Sequence, residues 1–285
     1  MAKRRSTARK KRGGGLLGFL GSIFKIFFFV GCVAAAVAIG YVGAQAWGEL
    51  QDLPDITIVE QYEPIEAIQI YDKFDHMVCT VEGDEDRRVI PLNQVSTQMQ
   101  QAILAAEDHN FYEHNGINIK SIIRALRTNL QAGHVVEGGS TITQQLVKNL
   151  FFQESGRTFE RKFKEAYMAW KLENQYGKER ILEMYLNQIY FGNNAYGIER
   201  AAKRYFDKRA PELNLAQSAF LAGLVKAPSE LGSSKNREKA YTRQKEILDK
   251  MVEYGYVTKE QAEQAKSFKL TFKKGRNPLQ KYPFY

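Results

Sequence analysis

The feature that most limits how this chain can fold is an uncharged apolar run, IFFFVGCVAAAVAIGYVGA, at residues 26–44. Its 19 residues approach the ~20 that a helix needs to cross a hydrocarbon core. Upstream, MAKRRSTARKKR holds seven cations in twelve residues. The positive-inside rule then predicts a basic cytoplasmic tail at 1–14, a single transmembrane signal-anchor at 15–47, and the remainder on the outer face. Tyr41 and Trp47 suit the outer interface. The rival is a cleaved secretory signal, because Ala44-Gln45-Ala46 offers an A-x-A-like site. The apolar run is longer than the ~7–15 residues usual for such signals, which favours the uncleaved anchor.

The tail also accounts for the charge. The formal net charge is +9, and without the seven tail cations and Lys25 residues 26–285 carry only +1. A nearly neutral folded part gives no reason to expect nucleic acid as a partner. The two cysteines, Cys32 in the apolar run and Cys79 beyond it, are too few for a disulfide framework. An exported domain of this kind depends on core packing instead.

Residues 48–90 read as an extended connector. Leu53-Pro54 breaks regular structure, and AIQIYDKFDHMVCTVEGDEDRRVI reads as two short strands around a turn, followed by an acidic loop. From Leu92 the pattern turns helical. Ser96 is placed to cap a helix running through Glu107. Between Ile119 and Leu130, Ile122, Ile123, Leu126 and Leu130 share one face. The strongest amphipath is KERILEMYLNQIYFG, with Ile181, Leu182, Tyr185, Leu186, Ile189 and Tyr190 in helical register and a stop expected at Gly192. Further helices are predicted over 194–206, 214–226 (stopped by Pro228), 237–254 and 258–267. The expectation is a mainly α domain over 91–275.

Two stretches carry chemistry. In AAEDHNFYEHNG, residues 105–116, Glu107 follows Met99 and Ile103 at intervals of four, so it ends an apolar helical stripe. A carboxylate there is partly desolvated, which raises its pKa and makes it a better proton acceptor. Spacing alone also fits, and indeed favours, a helix-terminal glutamate facing water. His109 and His114, five apart around Glu113, match no metal-ligand spacing, and no metal site is expected. The second stretch spans residues 135–173. Gly138-Gly139, Ser140, Thr141 and Thr143 offer a flexible backbone with many donors, and Gln144 and Gln145 add amides suited to sugars. Lys148, Arg157, Arg161, Lys162 and Lys164 follow, closed by Glu165. Arg161 and Glu165 also fit a plain i,i+4 ion pair. Cations interleaved with Leu146, Leu150, Phe151 and Phe152 suit a ligand that joins phosphate to lipid.

Five blocks occur in order: AAEDHNFYEHNGI, GGSTITQQLVKNLF, RTFERKFKEA, ILEMYLNQIYFGNNAYGIERAA and AFLAGLVKAPS. Over about residues 66–275 the chain thereby resembles the peptidoglycan glycosyltransferases (glycosyltransferase family 51), found in monofunctional transglycosylases and in the N-terminal half of class A penicillin-binding proteins. The resemblance implies a lysozyme-like glycosyltransferase fold, with a large helical lobe and a small hydrophobic, membrane-proximal lobe. It implies that Glu107 is the catalytic base, deprotonating the acceptor sugar's 4-hydroxyl, and that Glu165 is the second catalytic carboxylate. Lys148 and Arg157 match cations that hold substrate phosphates, with Arg161 and Lys162 close by, and Arg124 aligns with another phosphate-contacting arginine. Ser140, Gln144 and Gln145 match a donor-lined substrate loop, while Asp108, Phe111 and His114 match positions that support the first carboxylate. The implied partners are lipid II, the growing glycan strand, the membrane and a cell-wall synthesis complex. The implied location is the bacterial plasma membrane. No cofactor is required, with room for a divalent cation (magnesium or manganese) at the pyrophosphate.

The match departs from class A penicillin-binding proteins in one respect. Their transpeptidase carries S-x-x-K, S-x-N and K-T-G motifs. Here the sole S-x-x-K is Ser22–Lys25, beside the apolar run, and K-T-G does not occur. The segment NPLQKYPFY nevertheless resembles the linker toward such a domain, and 276–285 is read as its start. A lysozyme-like glycan hydrolase and a non-catalytic cell-wall scaffold are the rival readings.

Overall fold

The computed structural model describes residues 88–134, 138–153, 156 and 158–273. It also describes residues 53–56, two earlier strands and scattered positions between 25 and 50. The chain divides into two compact units, Met1–Pro54 and Asp55–Tyr285. In the first, the described positions between 25 and 44 are helical, and Phe27, Phe28, Phe29, Val33 and Val37 are exposed. Much of the expected anchor at 15–47 lies outside the described residues. Among the described residues, no helix is long and apolar enough to cross a membrane.

The second unit opens with the two expected strands, β1 (Ile68–Tyr71) and β2 (Met77–Val81). They pair antiparallel with Ile68 opposite Val81. The acidic loop expected after β2 lies largely outside the described residues. Among the described residues after it, the longer elements are helices: α1 (Thr97–Glu107), α2 (Ile119–Ala132), α3 (Ile142–Phe151), α4 (Phe159–Gln175) and α5 (Lys178–Gln188), then α6 (Ile198–Phe206), α7 (Leu215–Leu224), α8 (Pro228–Leu231), α9 (Arg237–Glu253) and α10 (Lys259–Ser267). Local capping sets several of these starts. Ser96 Oγ accepts from Met99 N at 3.2 Å, and Asn214 and Thr258 each close a reciprocal capping box three residues on.

α7 is the centre of the core. Every residue from Ala216 to Leu224 is buried, as a helix apolar on all sides requires, and α1 and α9 both pack on it and on each other. α3 packs against α4 and α5. α2 behaves differently. Its stripe of Ile119, Ile122, Ile123, Leu126 and Leu130 is exposed, and within the helix only Ala125 is buried.

Three predicted boundaries are corrected. α5 stops at Gln188 and α6 starts at Ile198, instead of 192 and 194. Between them Gly192 (φ 81°), Asn193 (54°), Asn194 (57°) and Gly197 (77°) take left-handed backbone, which glycine and asparagine tolerate best. The loop is closed by a Tyr190–Tyr196 bridge. Nor does Pro228 stop α7, which has already ended at Leu224. It opens α8 as the first helical residue, where its missing N–H costs nothing.

Candidate active site

Met99, Ala102 and Ile103 on α1 are completely buried. Glu107, next on that stripe, is half-buried and emerges into a cleft of about 430 Å³. Gln145 Nε2 donates to its Oε2 at 2.7 Å. Burial pushes the Glu107 carboxyl above the usual carboxylate range; the Gln145 hydrogen bond and the positive charges of Arg243 and Lys250 oppose this without cancelling it. A carboxylate of raised pKa is a better proton acceptor than one in water.

Asp108 also borders the cleft, but its carboxylate is taken up by contacts within the protein. It ends α1, is 6% exposed, and accepts from Ile142 N at 3.2 Å. The same oxygen lies 2.9 Å from His114 Nε2. This ties the end of α1 to the first turn of α3. Phe111 is fully buried and meets the His114 ring edge-on, with centroids 6.2 Å apart. His109 takes no part in this latch: it stacks on Tyr254 at 4.2 Å, and burial, followed by the Arg124 charge, lowers its pKa. Among the described residues no group of three or more His, Cys, Asp or Glu is arranged to hold a metal.

α3 begins with a capping box. Gln144 N donates to Thr141 Oγ1, Thr141 N donates to Gln144 Oε1, both at 3.1 Å, and the Thr141 hydroxyl donates to Gly116 O at 2.7 Å. The two glutamines, read from sequence as sugar contacts, both carry duties inside the protein. Gln144 is 2% exposed and serves the cap. Gln145 holds Glu107 and in turn accepts from the Tyr185 hydroxyl at 3.1 Å.

Glu165 lies across the same cleft and is 1% exposed. Arg161 Nε stands 3.1 Å from one of its oxygens and Lys162 Nζ 2.9 Å from the other. The plain helix pair is therefore real, but its carboxylate is buried and the cluster is three-membered. Lys162 Nζ also donates to Ser140 Oγ at 2.9 Å, and Ser140, Lys148 and Arg124 line the same cleft. Arg157 lies outside the described residues.

Sequence reasoning missed the opposite wall. Arg243, Lys250 and Tyr254 on or just after α9 line the cleft, as does Lys226 beyond α7. The available signal was Arg243 and Lys250 seven residues apart, hence on one helical face; nothing local said that this face turns toward Glu107.

A desolvated carboxylate in a cationic cleft, on a mainly helical domain, is an arrangement suited to acid–base chemistry on an anionic ligand. The transglycosylase family profile matches residues 75–252, and a second profile, a protein of unknown function (DUF2680), matches 236–269. The chain belongs to the transglycosylase family, and the resemblance carried by its five blocks is borne out. It is 40% identical over 259 residues to penicillin-binding protein 1A of Aquifex aeolicus, covering 91% of this chain and 34% of that protein. With penicillin-binding protein 1A of Neisseria flavescens it shares 41% identity over 238 residues, covering 84% of this chain and 28% of that protein. The chain thus spans about a third of the length of the curated relatives it matches. A crystal structure of penicillin-binding protein 1A from Haemophilus influenzae aligns at 23% identity with a TM-score of 0.44, covering 74% of this chain and 22% of that one.

Proposed function

We propose that this domain polymerises lipid II into β-1,4-linked glycan. The acceptor's 4-hydroxyl attacks C1 of the donor sugar while Glu107 takes its proton. The new O4–C1 bond forms as the bond from C1 to the pyrophosphate oxygen breaks, and undecaprenyl pyrophosphate leaves. One displacement inverts an α-linked donor to a β product, so no covalent enzyme intermediate is needed; inverting glycosidases follow the same logic with water as acceptor. Lys148, Lys162 and Arg124, with the Ser140 hydroxyl, face the developing negative charge, and Arg157 belongs to the same set by its family match. Glu165 holds Arg161 and Lys162 as a fixed pair, so their charges need little reorganisation during the reaction.

The observation that carries this reading is the placing of a carboxylate of raised pKa opposite the Ser140–Lys162 corner of one cleft. The carboxylates do not fit a protein-held divalent cation. Both Glu165 oxygens face Arg161 and Lys162, and Asp108 Oδ2 faces Ile142 N and His114. No step here is routed through a metal. Residues 15–47 would anchor the chain, with the basic tail cytoplasmic and the catalytic domain on the outer face of the membrane. The exposed apolar stripe of α2 would then meet the acyl region that delivers the lipid-linked substrate.

The test is incubation of the full chain in detergent with lipid II and, separately, with finished glycan. Polymer is expected from the first, and a Glu107→Gln variant should lose at least ~10²-fold in rate, the usual worth of a general base. Strand shortening without polymerisation would establish a hydrolase instead. Unchanged activity in the variant would remove Glu107 from the mechanism.

A further inference from the structure

Tyr185 sits in the middle of α5, among Ile181, Leu182 and Leu186, and all four are completely buried. Packing alone would be served equally by phenylalanine. The hydroxyl, however, donates to Gln145 Oε1 at 3.1 Å, and the other end of the same amide donates to Glu107 at 2.7 Å. A hydroxyl, an amide and a carboxylate therefore stand in line across three helices. With Glu107 ionised, the chemistry admits one direction for this line. A carboxylate only accepts, so the amide must turn its N–H₂ toward Glu107, which leaves its carbonyl to receive the phenol proton.

We propose that Tyr185 is a positioning residue for the base: through Gln145 it keeps an N–H, never the carbonyl, in front of Glu107. This rests on the reading of Glu107 as the general base and deepens it. Burial foremost, and then the negative charge of Glu107, hold the phenol well above its ordinary pKa, so it remains a donor throughout the working range. Without the hydroxyl, the buried amide oxygen has lost its donor. The amide then gains by rotating or withdrawing, and either movement removes the hydrogen bond that favours ionised Glu107. The other groups facing Glu107 are the Asp108 carboxylate at the end of α1 and Arg243 and Lys250 on α9, with Lys226 on the cleft wall beyond α7. All of them remain in place when the Tyr185 hydroxyl is removed.

The experiment compares wild type with Tyr185→Phe and Gln145→Leu, each as the 285-residue chain in detergent, by two readouts. The first is the pH profile of lipid II polymerisation. Tyr185→Phe is expected to lower kcat about tenfold near neutral pH, with KM within about twofold, and to shift the acid limb toward higher pH. Gln145→Leu is expected to shift it at least as far. The second readout needs no substrate: carbodiimide labelling, which requires a protonated carboxyl, followed at Glu107 by mass spectrometry. Labelling of Glu107 should persist to higher pH in both variants than in wild type. A shifted labelling curve together with an inactive wild type would support the positioning role and refute the polymerase reading. A labelling curve that matches wild type, or a kcat loss equal at every pH, would overturn the proposal and reduce Tyr185 to packing.

Discussion

Removing the Asp108 carboxylate should be costly for the fold, and the size of the cost can be worked from its contacts. Asp108→Ala strips an acceptor from Ile142 N, in the first turn of α3, and from His114 Nε2. The His114 side chain is 9% exposed, and its Nδ1 has no hydrogen-bond partner among the described protein groups, so it has little means of compensating. Two buried groups left unsatisfied at ~1–3 kcal/mol each amount to about 4 kcal/mol. Asp108→Asn keeps an acceptor oxygen and loses the charge that favours a helix N-terminus; it should cost only about 1 kcal/mol. The assay is urea unfolding of the full chain in detergent, followed by circular dichroism and reported as midpoint and slope. The reasoning fails if the alanine variant unfolds within ~0.5 kcal/mol of wild type. It fails equally if asparagine costs as much as alanine, because the charge and not the acceptor would then be what matters.

The ionised Glu107 carboxylate should destabilise the fold. The folded-state pKa of Glu107 is raised, so its contribution to stability is full below the ordinary glutamate range and is lost as pH rises through the folded value. Glu107→Gln should therefore melt above wild type at about pH 8, with the gap closing toward about pH 4; a variant less stable than wild type at the higher pH would contradict this. Gly192→Ala meets both a positive φ and a steric wall, since the added Cβ would lie 2.1 Å from Pro228 O. It should cost about 3 kcal/mol or more, and an unchanged urea midpoint would show that the loop yields.

Some helix starts were legible in the sequence because a cap acts on an N–H only three residues away: Ser96 caps as read, and the starts predicted at 214 and 258 fall on capping residues. The loop after α5 was not, because the need for glycine at 192 comes from Pro228, a neighbour only in space. The same division runs through the site. Glu107 at the end of an apolar stripe, and the cations that lead to Glu165, are patterns of spacing that survive in any packing of the chain. Their meaning was settled elsewhere. Gln145 looked like a sugar contact until α5 brought a phenol behind it, and the helix predicted over 237–254 held no expected site residue until its packing on α1 and α7 turned Arg243 and Lys250 toward Glu107. Periodicity records which residues share a helical face. Which face meets which, and so which carboxylate is desolvated and which lysine answers it, depends on burying α7 on all sides, and that is a property of the whole core.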